Sequence, residues 1–202
     1  MMQVGVLASG SGSNFQALVE GLAGSQAHVA VLVGNVAGSK VFERARALEV
    51  PTVLMEHGRW PTREAFDRAL VAELQSRGVD LVCLAGYMRL VTPTFLRAFP
   101  RGVINVHPAL LPSFKGLHGA RQALQAGVRV SGCTVHLVDE GTDTGPIIAQ
   151  AAVPVLPTDD EAALSARIRA QEHRLFPLVV RAIADGRVKV ERGAVTLQEW
   201  VG

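Results

Sequence analysis

The stretch Gly102–Gly116, "GVINVHPALLPSFKG", decides how the rest of the chain is read. Its opening residues are small or apolar, as a strand buried in a sheet requires, and the run leads into Asn105, Val106, His107 and Pro108. Along a strand, residues i and i+2 project to the same face. Asn105 and His107 therefore leave the strand's end together, and proline then fixes the chain direction. A carboxamide beside an imidazole offers two hydrogen-bond donors, one of which changes charge near neutral pH. Such a pair suits a carbonyl oxygen that gains charge during a reaction.

Outward from this stretch, strand and helix alternate. "QVGVLA" (Gln3–Ala8) reads as a buried strand, followed by the turn "SGSGSN" and a helix through "FQALVEGL". "HVAVLVGN" (His28–Asn35) is the second strand, "SKVFERARALEV" the second helix and "PTVLM" a short third strand. Pro61–Gly78 is amphipathic and opens on proline, where a helix loses nothing by the missing N–H. "DLVCLAG" (Asp80–Gly86) is continuously apolar, as a central parallel strand covered on both faces must be. "TPTFLRAFP" predicts a short helix before the strand "GVINV". Beyond it, Ser131–Asp139 and Pro146–Val155 read as neighbouring strands. A long helix follows through residues 157–186, with Thr158 and Glu161 as a capping box and Pro177 as a kink or break. "RVKVERGAVTL" predicts a terminal hairpin. This order implies an α/β fold: a Rossmann-like, doubly wound, mostly parallel sheet with helices on both faces, formed by residues 1–202 as a single domain. Ligands of such sheets bind beyond the carboxyl ends of the strands. Three of those ends carry "SGSGSN", "GYMRL" and "NVHP", which should converge.

Composition excludes several function classes. With 49% hydrophobic and 19% charged residues, the chain has ample material for a packed core. Its formal charge of +2 is small and its basic residues are scattered, so no nucleic-acid footprint is present. Cys83 and Cys133 lie in apolar runs and read as buried free thiols. Without a CxxC pair or a leader-like start, a cytoplasmic location is expected. No apolar run approaches the ~20 residues that a membrane-spanning helix needs.

The turn Gly10–Asn14 places backbone N–H groups at a helix start, a natural seat for a phosphate. A tight turn and nothing more is the plain alternative. A dinucleotide fingerprint fails because Phe15 stands where the third glycine belongs, and Asn35 rather than a carboxylate follows the second strand. A single phosphate is therefore favoured over a pyrophosphate. The loop "VDEGTDTGP" adds Asp139, Glu140 and Asp143, and a carboxylate there can orient the imidazole and relay a proton. His118 and His136 lack metal-ligand spacing, so no metal is expected. From the residues alone, the chemistry is acyl or carbonyl transfer on a phosphorylated metabolite.

"NVHPALLPSFKG" together with "TVHLVDEGTDTGP" resembles the folate-dependent formyltransferase superfamily, whose pattern is Asn-x-His-Pro-Ser-Leu-Leu-Pro with a downstream Asp; Ala109 replaces the serine. "LASGSGSNFQAL" and "AQEHRLFP" are similar to the branch that formylates glycinamide ribonucleotide. The resemblance implies that a 10-formyltetrahydrofolate co-substrate gives its formyl group to the ribonucleotide's amine, a step of purine biosynthesis, with no covalent intermediate and neither metal nor nicotinamide. Asn105 and His107 would stabilise the oxyanion, while Asp143 would fix His107 and help to move the proton. Gly12, Ser13 and Asn14 would hold the phosphate, and Glu172 the amine end. The pterin would lie between Met88, Arg89, Leu90 and Val91 on one side and Asp139, Glu140, Gly141, Thr142 and Asp143 on the other. Arg63 and Arg89 would meet the folate's carboxylate tail. Residues 1–100 would thus bind phosphate, and residues 101–202 folate and the reacting groups. The implied partners are small molecules, not nucleic acid or membrane, and a homodimer is left open. The alternatives are a formyltetrahydrofolate hydrolase, a tRNA formyltransferase, which carries a further C-terminal domain, and a Rossmann-type oxidoreductase.

Overall fold

A computed structural model describes residues 1–99, 101–191 and 194–198. Seven strands form one sheet: β1 (Met2–Ala8), β2 (Ala27–Gly34), β3 (Thr52–Leu54), β4 (Leu81–Leu84), β5 (Val103–His107), β6 (Val130–Leu137) and β7 (Ile147–Pro154). Their order across the sheet is β3-β2-β1-β4-β5-β6-β7. The first five run parallel, and β6 is antiparallel to both of its neighbours. The strand order reverses between β1 and β4, which opens a crevice above their carboxyl ends.

Helices cover both faces because β1 and β4 bury apolar side chains on both sides. On one face α1 (Ser13–Gly21), α2 (Val41–Ala47), α5 (Gly119–Gln125) and α6 (Glu161–Ala184) contribute Phe15, Leu18, Val41, Ala123, Ile168 and Phe176 to a single core. On the other, α3 (Arg63–Ser76) and α4 (Pro93–Arg97) contribute Phe66, Leu70, Leu74 and Phe95. The doubly wound α/β class read from the sequence is the observed one. Cys83 and Cys133 are both buried free thiols. Among the described residues, no helix is long and apolar enough to cross a membrane.

Several local readings are corrected. The cap of α6 is Asp160, whose carboxylate accepts the Ala163 N–H at 2.7 Å, so the capping box at Thr158 and Glu161 is not formed. Aspartate in an extended conformation is as good a cap as threonine, and here it starts the helix two residues later. Pro177 does not end α6, which continues past it to Ala184. Its ring fills the space over Gly21 of α1, leaving no room there for a Cβ, and this contact offsets part of the cost of the backbone hydrogen bond that proline cannot make. Helix α5 lies in a stretch that carried no sequence assignment; Ala120 and Ala123 anchor it to the core. The terminal hairpin is present as β8 (Val188–Glu191) paired with β9 (Ala194–Leu197). Arg192 and Gly193 of "RVKVERGAVTL", and Pro100 of "TPTFLRAFP", lie outside the described residues.

Candidate active site

The register of β5 against β6 builds the centre of the site. Asn105 stands directly opposite His136, and His107 opposite Thr134. Directly opposed residues share a face of the sheet, so the four side chains emerge together. His136 Nδ1 lies 2.7 Å from the Leu137 carbonyl and donates to it. Its Nε2 lies 3.2 Å from Asn105 Nδ2, in hydrogen-bond contact. The Asn105 carboxamide is thereby held in one orientation.

Asp143 closes the group. Its carboxylate lies 3.3 Å from His107 Nδ1 through Oδ2 and 3.6 Å from His136 Nε2 through Oδ1. Oδ2 also accepts the Gly116 N–H at 2.8 Å, which ties the loop after β5 to the loop after β6. Partial burial raises the Asp143 carboxyl. The hydrogen bonds from His136 and Gly116 and the charges on both histidines outweigh it, and the net direction is below the ordinary carboxylate range. His107 is 3% exposed, and its Nε2 faces the Phe114 carbonyl at 2.8 Å. Both ring nitrogens of His107 therefore face oxygen atoms, an arrangement satisfied when each carries a proton. Thr134 holds the intervening chain: its buried hydroxyl donates to the Ala109 carbonyl at 2.7 Å and accepts the Leu111 N–H at 3.0 Å.

On the N-terminal side of the crevice, Gly12 adopts a left-handed conformation with φ of 76° and precedes α1 without a side-chain cap. Val41 occupies the space where a Cβ would lie, so only glycine fits. The first N–H groups of α1 are left without intrahelical partners. Asn14 turns toward α6, where its Nδ2 donates to Glu172 Oε2 at 2.9 Å. Glu172 is 7% exposed. Burial pushes its carboxyl up, and the Asn14 hydrogen bond and the Arg169 charge pull it back only in part. Burial, aided by the Glu172 carboxylate, likewise pushes the Cys133 thiol up to about 12, so it is no nucleophile.

On the other side, a hollow of about 100 Å³ is lined by Tyr87, Arg89, Leu90, Val91, Asn105 and His136, together with the loop Asp139–Asp143. Asp139 Oδ1 shapes that loop by accepting from Gly141 N at 3.1 Å and Thr144 Oγ1 at 2.7 Å. Glu140, Gly141 and Thr142 line it from the exposed side. The Arg89 guanidinium sits 5.4 Å over the Phe66 ring. Met88 points its side chain outward, 67% exposed, and Arg63 is exposed at the first turn of α3; neither lines the hollow. A larger open groove of about 770 Å³ beside α2 and β3 contains none of these groups.

The structure thus brings Asn105, His107 and Asp143 together, and separately Asn14 and Glu172. His136, Thr134 and the Phe114 carbonyl are participants that the sequence reading did not identify. The signal for His136 is the pairing of "INVH" with "TVHL", which only the strand register makes visible. Among the described residues no three His, Cys, Asp or Glu side chains are grouped to hold a metal ion.

Donors gathered at one point, with a hollow on one side and an uncapped helix start behind a glycine turn on the other, suit the transfer of a small carbonyl unit. Comparison with known proteins agrees. Residues 2–180 match the formyl transferase family. The chain is 43% identical over 185 residues to the phosphoribosylglycinamide formyltransferase of Bacillus subtilis, covering 91% of this chain and 95% of that protein. The trifunctional purine biosynthetic protein adenosine-3 of Drosophila pseudoobscura is 45% identical over 191 residues, which are 93% of this chain but only 14% of that far longer protein. A crystal structure of glycinamide ribonucleotide transformylase 1 from Symbiobacterium toebii superposes with a TM-score of 0.93 at 50% identity, covering 98% of this chain and 94% of the other. The chain belongs to the formyl transferase family, as the motifs at 105–116 and 134–146 led us to expect.

Proposed function

We propose that the protein transfers the formyl group of 10-formyltetrahydrofolate to the primary amine of glycinamide ribonucleotide, a cytoplasmic step of purine biosynthesis between two bound small molecules. The observation that carries this reading is the convergence of Asn105, His107 and Asp143, with the His107–Asp143 contact at 3.3 Å. The names of relatives matched along nearly their whole length support the choice of acceptor.

The ribonucleotide's phosphate is received by the free N–H groups at Gly12, Ser13 and Asn14, and its amine end by Glu172. The pterin enters the hollow between residues 89–91 and 139–143, beside Met88, where backbone groups meet a heterocycle rich in donors and acceptors. Arg89, with Arg63, takes the carboxylate tail. The N-terminal half thus supplies the phosphate seat, and the C-terminal half supplies the reacting groups.

The neutral amine attacks the formyl carbon, forming the new C–N bond while the C=O electron pair moves onto oxygen. Asn105 Nδ2 and His107 Nε2 donate to that oxyanion, which takes the position the Phe114 carbonyl oxygen holds opposite Nε2 in the free protein. The loop around Phe114 withdraws for this to happen. Collapse of the intermediate breaks the bond to the folate nitrogen, which receives the proton lost by the amine. Asp143 holds His107 in place and carries that proton, through water.

The test follows tetrahydrofolate release with and without glycinamide ribonucleotide. Release that requires the ribonucleotide is expected; release without it identifies a hydrolase and overturns the proposal. Asp143→Asn should depress turnover far more than affinity for the ribonucleotide. Equal losses in both would make the aspartate structural.

A further inference from the structure

Between β4 and α4 the chain crosses the top of the sheet as residues 85–92, and both ends of this crossing are tied down. At the near end the ties come from Ser9, which directly precedes the glycine turn. Its N–H donates to the Gly86 carbonyl at 3.1 Å, and its Oγ accepts the Met88 N–H at 2.9 Å. At the far end Asp67 Oδ2, reaching over from α3, accepts the Thr92 N–H at 2.6 Å. Thr92 then caps α4 by accepting the Phe95 N–H at 3.4 Å. Between the two ties, the backbone groups of Arg89, Leu90 and Val91 have no hydrogen-bond partner among the described residues, and these three residues line the hollow.

A carboxylate 2% exposed is costly to bury, and a helix cap at the surface would serve α4 as well without that cost. Asp67 sits beside Phe66, whose ring carries the Arg89 guanidinium. It also faces Tyr87: burial chiefly pushes the Tyr87 phenol up, Arg89 pulls it down, and Asp67 pushes it up again. One turn of α3 thus fixes both the guanidinium and the far end of the loop.

We propose that Asp67 is a positioning residue for the formyl donor. With Ser9 it clamps the 88–91 loop at both ends, so that the unpaired backbone groups of residues 89–91 stay turned toward the bound folate. The inference rests on the assignment of the folate to this hollow under the proposed function. Freeing one end lets the loop populate arrangements that cannot bind, and apparent affinity falls by the fraction that remains competent. A hydrogen bond to a charged group commonly decides about a tenfold change in such a balance.

The experiment measures equilibrium binding of an oxidation-resistant 10-formylfolate analogue, and KM for both substrates, in the intact protein and in Asp67→Ala, Asp67→Asn and Ser9→Ala. Asp67→Ala should weaken analogue binding about tenfold and raise the donor's KM alike, with the ribonucleotide's KM unchanged. Asp67→Asn keeps an oxygen acceptor and should recover most of the loss. If Asp67→Ala does not fold, Ser9→Ala carries the test, with an expected loss of about threefold in analogue affinity. Lower thermal stability with unchanged analogue binding, or equal rises in both KM values, would overturn the clamp alone. Failure of the unsubstituted protein to bind the analogue would overturn the folate assignment and the clamp with it.

Discussion

The seat at the glycine turn and the cluster at the ends of β5 and β6 each hold one partly or fully buried carboxylate, and the two respond in opposite ways. Glu172 is buried with a single amide donor and is pushed up. Asp143 is met by two histidines and a backbone N–H and is held down. The difference shows how each region treats charge. Around Asp143 the protein supplies the counter-charges itself. Around Glu172 they are incomplete, and a cationic or hydrogen-bonding ligand group would complete them.

The largest test of this contrast is on the Asp143 cluster. Asn105→Ala removes the proposed donor to the oxyanion and should lower kcat by about 100- to 1000-fold, with little change in either KM. A comparable rise in the ribonucleotide's KM would mean that Asn105 belongs to the binding seat instead. His136→Ala frees the Asn105 carboxamide and removes one neighbour of Asp143. Misplacement of a catalytic group by about 1 Å can cost a hundredfold, so kcat should fall by up to about 100-fold while thermal stability changes modestly. Full activity in this variant would show that the Asn105–His136 contact orients nothing.

A smaller effect is expected at the incomplete seat. Glu172→Gln should raise the ribonucleotide's KM about tenfold, the worth of one charge-assisted hydrogen bond. The same substitution should raise the melting temperature at neutral pH. A carboxyl raised in the fold contributes stability at low pH, and that contribution is lost as pH rises through the folded value. At neutral pH the raised, buried carboxyl of Glu172 therefore costs stability, which glutamine relieves. A variant less stable than the parent at pH 7 would break the comparison.

The smallest effect carries the opposite sign. A carboxyl held down in the fold contributes stability fully above its ordinary value of about 3.9, and loses it as pH falls through the lower folded value. Asp143→Asn should therefore be less stable than the parent at neutral pH, and the two should converge below about pH 4, as thermal melts across pH would show. A gap that widens in acid would contradict the ion-pair reading of Asp143.

Much of this was legible in the chain itself. The continuous apolar run at residues 80–86, the alternation of strand and helix, and the same-face spacing of Asn105 and His107 are local properties, set by backbone periodicity and side-chain chemistry. Gly12 was legible as well, because a turn that needs positive φ leaves its mark as glycine. Asp160 displaced Thr158 as the cap because several short polar residues compete for one position, and geometry chooses among them. Pro177 offers a kink or a break from the sequence, and the break is not formed, because α6 runs on past it while its ring packs over Gly21 of α1.

What the sequence determined alone was the fold class and the identity of the central pair, since both follow from patterns within a few residues of each other. The tertiary structure decided which distant groups complete that pair. His136 meets Asn105 through an antiparallel register, Asn14 meets Glu172 across 158 positions, and Asp67 reaches Thr92 across 25. Such contacts depend on how strands align and helices pack, which is a cooperative property of the whole core and is written in no single segment.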